Sequence, residues 1–445
     1  MPVEMEAIFG QVLAAARSRG VADIEAIVTT ADHALTRFAN NQIHQNVAER
    51  MTHLSVRPVI GGRTARASTN RLDRDGIEDV VEQAIAITKL TEPDPELLPL
   101  AEKAEYQFPN RFFAATSNVT PEERARAVAE AIRVVDEKRQ TAAGIYSTGD
   151  GSFAIFNSRG VAASHTETHA QFSITAMAGD SSGWAKQSAC YHGDMDPVLL
   201  AACAASKAQR SSNPRLLPPG RYTVVLEPAA VLDLVGQMFG DFSATAIRDG
   251  RSFLNDRLGK KVFGDNITIR DDCFHSMQAG APFDGEGVPR RPLMLVENGV
   301  VREVAYSRQA AAQAGATPTG HGFPLPNEIG EAPANIVFTG GEASVDDMIR
   351  STGRGILVTR LWYIREVDPY EKIFTGMTRD GTFLIEGGEI AGGVRNFRFN
   401  QSLLELLSNV ETLGPALRAA GEESIDMVVP AMKVRDFNFT EVTRF

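Results

Sequence analysis

Residues 224–262 read VVLEPAAVLDLVGQMFGDFSATAIRDGRSFLNDRLGKKV, and this stretch decides how the chain is divided. Val231, Leu234, Val235, Met238, Phe239 and Phe242 recur at i, i+3, i+4, i+7, i+8 and i+11, which is one apolar stripe of an α-helix. Its opposite face carries Asp233, Gly236, Gln237 and Asp241. The β-branched VVLEP run in front of it reads as a strand.

Downstream of the helix the pattern predicts a long, turn-rich β region. Asn298-Gly299, between LMLVE and VVREV, and Asp380-Gly381, between Phe374 and Leu384, are residue pairs that favour tight hairpin turns, so antiparallel sheet is expected. A helix near Ser402 to Asn409 interrupts it.

Upstream, the NPRLLPPG run at residues 213–220 marks the main boundary. Before it lie an Ala-rich helix through Leu199 to Lys207 and strands around Phe153 to Phe156 and Ala170 to Ala178. A helix starts at Thr120, where Thr120, Pro121 and Glu123 make a capping box with proline in the first turn. Near the N-terminus, Met5, Ile8, Phe9, Val12 and Ala16 form a helical stripe that Gly20 ends. EAIVTT and THLSVRPVI read as strands, with the turn at Gly61-Gly62, and Ile77, Val80, Val81, Ala84 and Ile85 mark a second helix before the Pro93, Pro95 and Pro99 cluster. The expected class is α+β: an N-terminal mixed αβ region (1–100), a central αβ region (115–213) and a largely antiparallel, β-rich C-terminal domain (220–445) with a few helices. Neither solenoid repeats nor coiled-coil heptads occur.

A length of 445 residues implies two or three domains with a sizeable core, and a net charge of −11 argues against general binding to nucleic-acid phosphates. Cys190, Cys203 and Cys273 form no CxxC, so a reducing compartment is expected. MPVEMEAIFG lacks the basic and apolar regions of a secretory signal, and no apolar run approaches a membrane span; cytoplasmic residence is the expectation.

The densest set of metal-capable side chains is His165, Glu167 and His169 in SHTETHAQ. As a strand, the segment would hold its two histidines roughly 13 Å apart, too far for donors that must stand about 2 Å from a zinc ion. As a helix it would bring the histidines within a turn but turn Glu167 away. A solvated or interface strand face is the expectation. Cys190 and His192 in CYH are weighed as a nucleophile and base, but sequence adjacency says nothing about reach. STGDG (147–151) and SSGW (181–184) read as small-residue loops explained by turns. Asp271 and Asp272, beside Cys273 and His275, read as a strand-end turn, while Arg248 and Arg251 suit either an acid-binding role or a structural ion pair. Walker, GxGxxG and GxSxG patterns are absent, so nucleotide binding is unsupported.

Several ordered segments together resemble the modulator-of-gyrase peptidases, TldD/PmbA: residues 224–262, LTRFANNQIHQN (35–46), LDRDGIEDVVEQA (72–84), 381–414 and VVPAMKVRDFNFT (428–440). The match is to the PmbA (TldE) branch and spans nearly the whole chain. The resemblance implies that in the TldD branch the corresponding helix carries HExxxH, two zinc-binding histidines and a water-activating Glu, with a further cysteine near the C-terminus. This sequence has no histidine between Val224 and Asp272 and no cysteine after Cys273. With these departures, the resemblance implies a cytoplasmic peptidase-family subunit without its own zinc, acting on unfolded or leader-bearing peptides in a heterodimer with a TldD-like HExxxH subunit or in a homodimer, with no membrane or direct nucleic-acid partner. No residue is assigned a catalytic, cofactor or metal role, and no cofactor is expected. The alternatives are an autonomous metal-dependent hydrolase centred on His165, Glu167 and His169, or a non-catalytic regulatory scaffold.

Overall fold

A computed structural model describes residues 2–443. Helix α1 (Pro2–Ser18) leads into the hairpin of β1 (Asp23–Ala39) and β2 (Gln42–Ile60). Gly61 and Gly62, both at positive φ, turn the chain into β3 (Arg63–Thr64), and β4 (Ala67–Thr69) follows. Helix α2 (Arg74–Leu90) is capped by the Asp73 side chain and buries Ile77, Val80, Val81, Ala84 and Ile85. After the short α3 (Ala114–Ser117), the expected capping box of Thr120 and Glu123 opens α4 (Pro121–Asp136). Then come β5 (Thr141–Asn157), β6 (Ala162–Ala178), β7 (Ser181–Ala189) and α5 (Pro197–Arg210).

These strands make one antiparallel sheet of order β3-β2-β1-β5-β6-β7, with β4 also paired to β2. One face is covered at one end by α1 and α2, through Ile24, Ala26, Val28, Leu54, Val56, Ala154 and Phe156, and at the other by α4 and α5, through Phe172, Ile174, Ala204 and Ala208. The other face turns to the C-terminal half. There Arg57 grips Glu25 with two buried hydrogen bonds of 3.0 and 2.9 Å, and Arg66 adds a partly buried one of 2.7 Å. Burial would raise the Glu25 carboxyl, but the two guanidiniums hold it below its ordinary value.

The STGDG and SSGW segments are not loops. Residues 147–151 lie inside β5 and 181–184 open β7. Glycine serves close approach here rather than a turn: a Cβ on Gly183 would stand 2.1 Å from the Ala204 carbonyl of α5.

The C-terminal half starts with β8 (Gly220–Leu226) and α6 (Pro228–Val235). The stripe foreseen as one helix through Phe242 is buried as expected, but the α-helix stops at Val235 and tightens into a 3-10 segment, Gly236–Asp241. Next are α7 (Ala244–Arg248), β9 (Ile269–Asp271), β10 (Leu293–Glu297), β11 (Val300–Val301), α8 (Arg308–Ala314), β12 (Ile336–Phe338) and α9 (Val345–Arg350). The remainder is β13 (Arg354–Val358), β14 (Leu361–Asp368), β15 (Ile373–Thr378), β16 (Thr382–Glu386), β17 (Glu389–Gly393), β18 (Phe397–Ser402), α10 (Leu403–Ser408), β19 (Val410–Leu413), β20 (Leu417–Ala419), β21 (Met427–Val429) and β22 (Met432–Val442).

They form two sheets, β11-β10-β9-β12-β21-β20 and β14-β15-β18-β22-β8-β13-β16-β17, the second joined by β19 on β22. All pairs are antiparallel except β12 with β21 and β13 with β8, so the class is α+β. A single large apolar cluster, with Phe397, Phe399, Phe437 and Phe439 at one end and the α6 stripe at the other, fills the space between them.

Asn298-Gly299 makes its hairpin, pairing Glu297 with Val300. Asp380-Gly381 does not: β15 pairs with β14 and β18, and β16 with β13 and β17. Both residues have positive φ, but the Asp380 carboxylate is drawn in by Arg360 at 2.6 Å and Ser182 at 2.7 Å, so the turn carries the chain between distant strands of one sheet. Among the described residues no helix is long and apolar enough to cross a membrane.

Candidate functional site

Strand β7 is an end strand of its sheet. Its inner edge pairs with β6 from Ala178↔Ser181 to Ala170↔Ala189, while no strand pairs with its outer edge among the described residues. An edge of this kind presents N–H and C=O groups to an incoming chain, and at its start the Ser182 and Trp184 carbonyls are already taken by Ser211 at 3.1 Å and Lys207 at 3.3 Å. Beyond it lies a cleft of about 590 Å³ between β7 and β20, floored by α5 and the start of α6. Trp184, Tyr191, Met277 and Leu417 supply apolar walls, and Tyr191, Met277 and Leu417 are exposed.

Side chains rather than backbone join the two walls. Lys186 donates to the Gly421 carbonyl at 2.6 Å and pairs with Glu422 at 3.1 Å, and Arg418 reaches Ser188 and Asp426, each at 3.1 Å. At the cleft floor, Lys207 lies 2.6 Å from Glu227; burial would lower the ammonium, but the Glu227 charge raises it above its ordinary value. The loop after β20 is fixed to α6: the Asp233 carboxylate accepts from the Glu422 and Glu423 N–H groups at 3.0 and 2.9 Å. Burial pushes Asp233 up to about 6, since its second oxygen has no partner among the described residues.

A second, smaller cavity of about 230 Å³ adjoins the cleft and shares Ser188, Ala189, Cys190 and Arg418 with it. His33, Glu167 and His169 line it. The segment carrying His165, Glu167 and His169 is strand β6, and alternation puts the three side chains on one face, with Glu167 and His169 at the small cavity and His165 beside Glu167. His165 is buried with Nε2 3.6 Å from Glu167; Glu167 accepts the Gly280 N–H at 2.6 Å; His169 stacks on His33 of β1, with centroids 5.5 Å apart. Burial raises the Glu167 carboxyl, but His165, the Gly280 N–H and Arg111 bring it below its ordinary value. Burial, then His33, lowers His169. Among the described residues no three His, Cys, Asp or Glu side chains converge as a metal site would require.

Cys190 borders both cavities, its thiol pushed up by burial and by Glu167. His192 does not face it as a base: its ring meets Tyr191 edge-on, and no hydrogen bond joins it to Cys190 among the described residues. Asp272 accepts locally from the Phe274 N–H at 3.0 Å, whereas Asp271 reaches far along the chain. Asp271 accepts from buried His321 at 2.9 Å and from the Ala334 and Asn335 N–H groups, and although burial would raise it, His321 and Arg290 hold it down. His321 had no sequence signal of its own, because its partner is set only when β9 pairs with β12. His33 was missed for the same reason; the register of β1, β5 and β6 alone brings it to His169. Arg248 and Arg251 are exposed and hold Asp249, each at 2.9 Å.

Three family descriptions match in order: PmbA/TldA metallopeptidase domain 1 at residues 24–88, the central domain at 93–211 and the C-terminal domain at 219–441. The chain is 24% identical over 388 residues to the metalloprotease PmbA of Escherichia coli O157:H7, covering 84% of this chain and 83% of that one. It is 28% identical over 291 residues to a metalloprotease of Methanothermobacter thermautotrophicus, spanning 61% of this chain and 62% of the relative. In structure it is similar to a putative modulator of DNA gyrase from Thermotoga maritima, with a TM-score of 0.88 at 22% identity over 98% of this chain and 100% of the other. TldE from Thermococcus kodakarensis gives 0.85 at 20% identity, covering 99% and 100%. At these identities the two structures speak for the fold.

Proposed function

The chain belongs to the TldD/PmbA family of metallopeptidases, and from that premise we propose that it is the peptide-binding, zinc-free subunit of a proteolytic assembly whose metal is held by a partner chain. The observation that carries this reading is α6. A zinc helix needs two imidazoles one turn apart and a carboxylate to activate water. Along Pro228–Val235 the side chains are Pro, Ala, Val, Leu and one Asp; Val231, Leu232, Leu234 and Val235 are sealed in the largest apolar cluster, and Asp233 is engaged by the Glu422 and Glu423 N–H groups. These residues do not fit a zinc ion, and no hydrolytic step is assigned to this chain.

What the chain offers instead is the outer edge of β7 beside the cleft. An extended peptide added there would be held by backbone pairing, with little demand on its sequence, as suits unfolded or leader-bearing substrates. Three free cysteines suit a reducing compartment, which supports cytoplasmic residence.

The test is elemental analysis of the purified protein after zinc exposure and buffer exchange, with peptide cleavage assayed alone and beside an HExxxH-bearing relative. We expect less than roughly a tenth of a zinc per chain, set against the one per site of a closed zinc centre, and cleavage only in the mixture. One zinc per chain, lost when His165 and His169 are replaced, would transfer the chemistry to this chain as an autonomous hydrolase.

A further inference from the structure

Two glycines of β5 stand in register with side chains that line the small cavity beside the cleft. On the face of β5 turned to the C-terminal half, the register sets His33, Gly149 and His169 in one row across β1, β5 and β6, and Ala31, Gly151 and Glu167 in the next. Strands stand about 4.8 Å apart, so His33 and His169 begin roughly 9.6 Å from each other. With no side chain between them, their rings lean over Gly149 and stack at 5.5 Å and 11°. A Cβ at Gly149 would lie 2.9 Å from the His169 ring and 1.9 Å from the Asp32 carbonyl.

The hollow is lined by the acceptors His33, His169, Glu167 and Asp426, beside Arg418, Gln171 and Ser147, which can donate. Neither histidine ring makes a hydrogen bond among the described residues, and Glu167 has one oxygen engaged by the Gly280 N–H while the other has no hydrogen bond there. His169, held neutral by burial, offers a ring lone pair. The nearby cations are committed elsewhere: Arg418 to Asp426 and Ser188, and Arg111 to the carbonyls of Gly280 and Cys273. No metal site forms here among the described residues, and an ammonium asks for a wider ring of groups, since a nitrogen donor stands about 2.9 Å from its acceptors where zinc needs about 2.0 Å. A substituted ammonium carries three N–H donors, one for each of these acceptors.

We propose that this hollow is a subsite for an ammonium group on a peptide lying in the adjoining cleft, with His33, His169 and Glu167 accepting its three hydrogens. The proposal rests on the peptide-binding reading of the cleft. The ammonium belongs either to the peptide's N-terminus or to a lysine side chain, and both enter past Ser188 and Cys190, which the two cavities share.

The test titrates the full-length protein with three pentapeptide amides: penta-alanine with a free N-terminus, its N-acetylated form, and N-acetyl-Ala-Ala-Lys-Ala-Ala. Fluorescence of Trp184 in the cleft wall reports binding, and the wild type is compared with Glu167→Gln and His33→Gln after thermal melting confirms that each variant is folded. We expect at least one ammonium-bearing peptide to bind tenfold or more tightly than the acetylated alanine peptide, the arm that does so naming the source, and both variants to lose that preference. Equal binding of all three peptides, or a preference that survives in both variants, overturns the subsite and leaves the cleft reading standing. Binding of none overturns both.

Discussion

The face of the first sheet turned to the C-terminal half has two unlike ends. Along β5, that face presents Ile155, Phe153, Gly151 and Gly149 in turn. At the Ile155 end it is packed solid: Ile27, Ile155, Val161 and Ala163 close around Phe283, which stacks on Phe153 at 5.5 Å and meets Tyr106 and Phe108 edge-on. At the glycine end the same pleat borders a cavity walled by two imidazoles, the Glu167 and Asp426 carboxylates and Arg418. Strand geometry is continuous through both, so the difference lies wholly in side-chain volume. One end joins the two halves of the molecule by apolar packing, and the other joins them by polar contacts around an open cavity.

The strongest way to break this contrast is Phe283→Ala. Removing a buried aromatic ring from close-packed surroundings should cost about 3–5 kcal/mol, read as a shift in the urea midpoint. A loss below about 1 kcal/mol would mean that the filled end is not structural core.

The loop carrying Phe283 also buries Asp284 and Glu286, and Tyr106 donates to the Gly287 carbonyl at 2.8 Å. Burial and then Asp284 push Glu286 up to about 7 from an ordinary value near 4.5. The folded state therefore binds this proton more tightly than the unfolded one, so the contribution is full below pH 4.5 and is lost as pH rises through about 7. Glu286→Gln should be the more stable protein at pH 8, by up to about 3 kcal/mol, and should match the wild type near pH 4. Denaturation at both pH values checks this; curves that fall in parallel would remove Glu286 as the cause.

The smallest effect belongs to the open end. His33→Ala should change stability by less than about 1 kcal/mol, because the ring is half-buried and borders space. A loss equal to that of Phe283→Ala would make the hollow part of the core and erase the contrast.

Much of the fold was legible from local chemistry. The Thr120 capping box, the Gly61-Gly62 and Asn298-Gly299 turns and the stripe on α1 are each decided by residues within a few positions of one another. Asp380-Gly381 misled because its turn is made by Arg360 and Ser182, which sequence proximity does not reveal. STGDG misled in the opposite direction, since glycine on alternate positions inside a strand looks like a loop until the neighbouring strands supply the register. The site was less legible still. His165, Glu167 and His169 could be placed on a strand, but the partner that matters to His169 lies on β1, and a pairing of that range carries no mark in either segment.

The central position of β22 has a consequence for how the molecule is made. Strand β8 opens the C-terminal half, yet its antiparallel neighbour is β22, which also pairs with β18. As the ribosome delivers the chain, β8 and β18 must wait with open edges until β22 has emerged, and a nascent chain paused between β18 and β22 exposes two sticky templates at once. Chaperone demand during synthesis should thus concentrate in the C-terminal half, while the first sheet, complete once β7 is out, can already be closed.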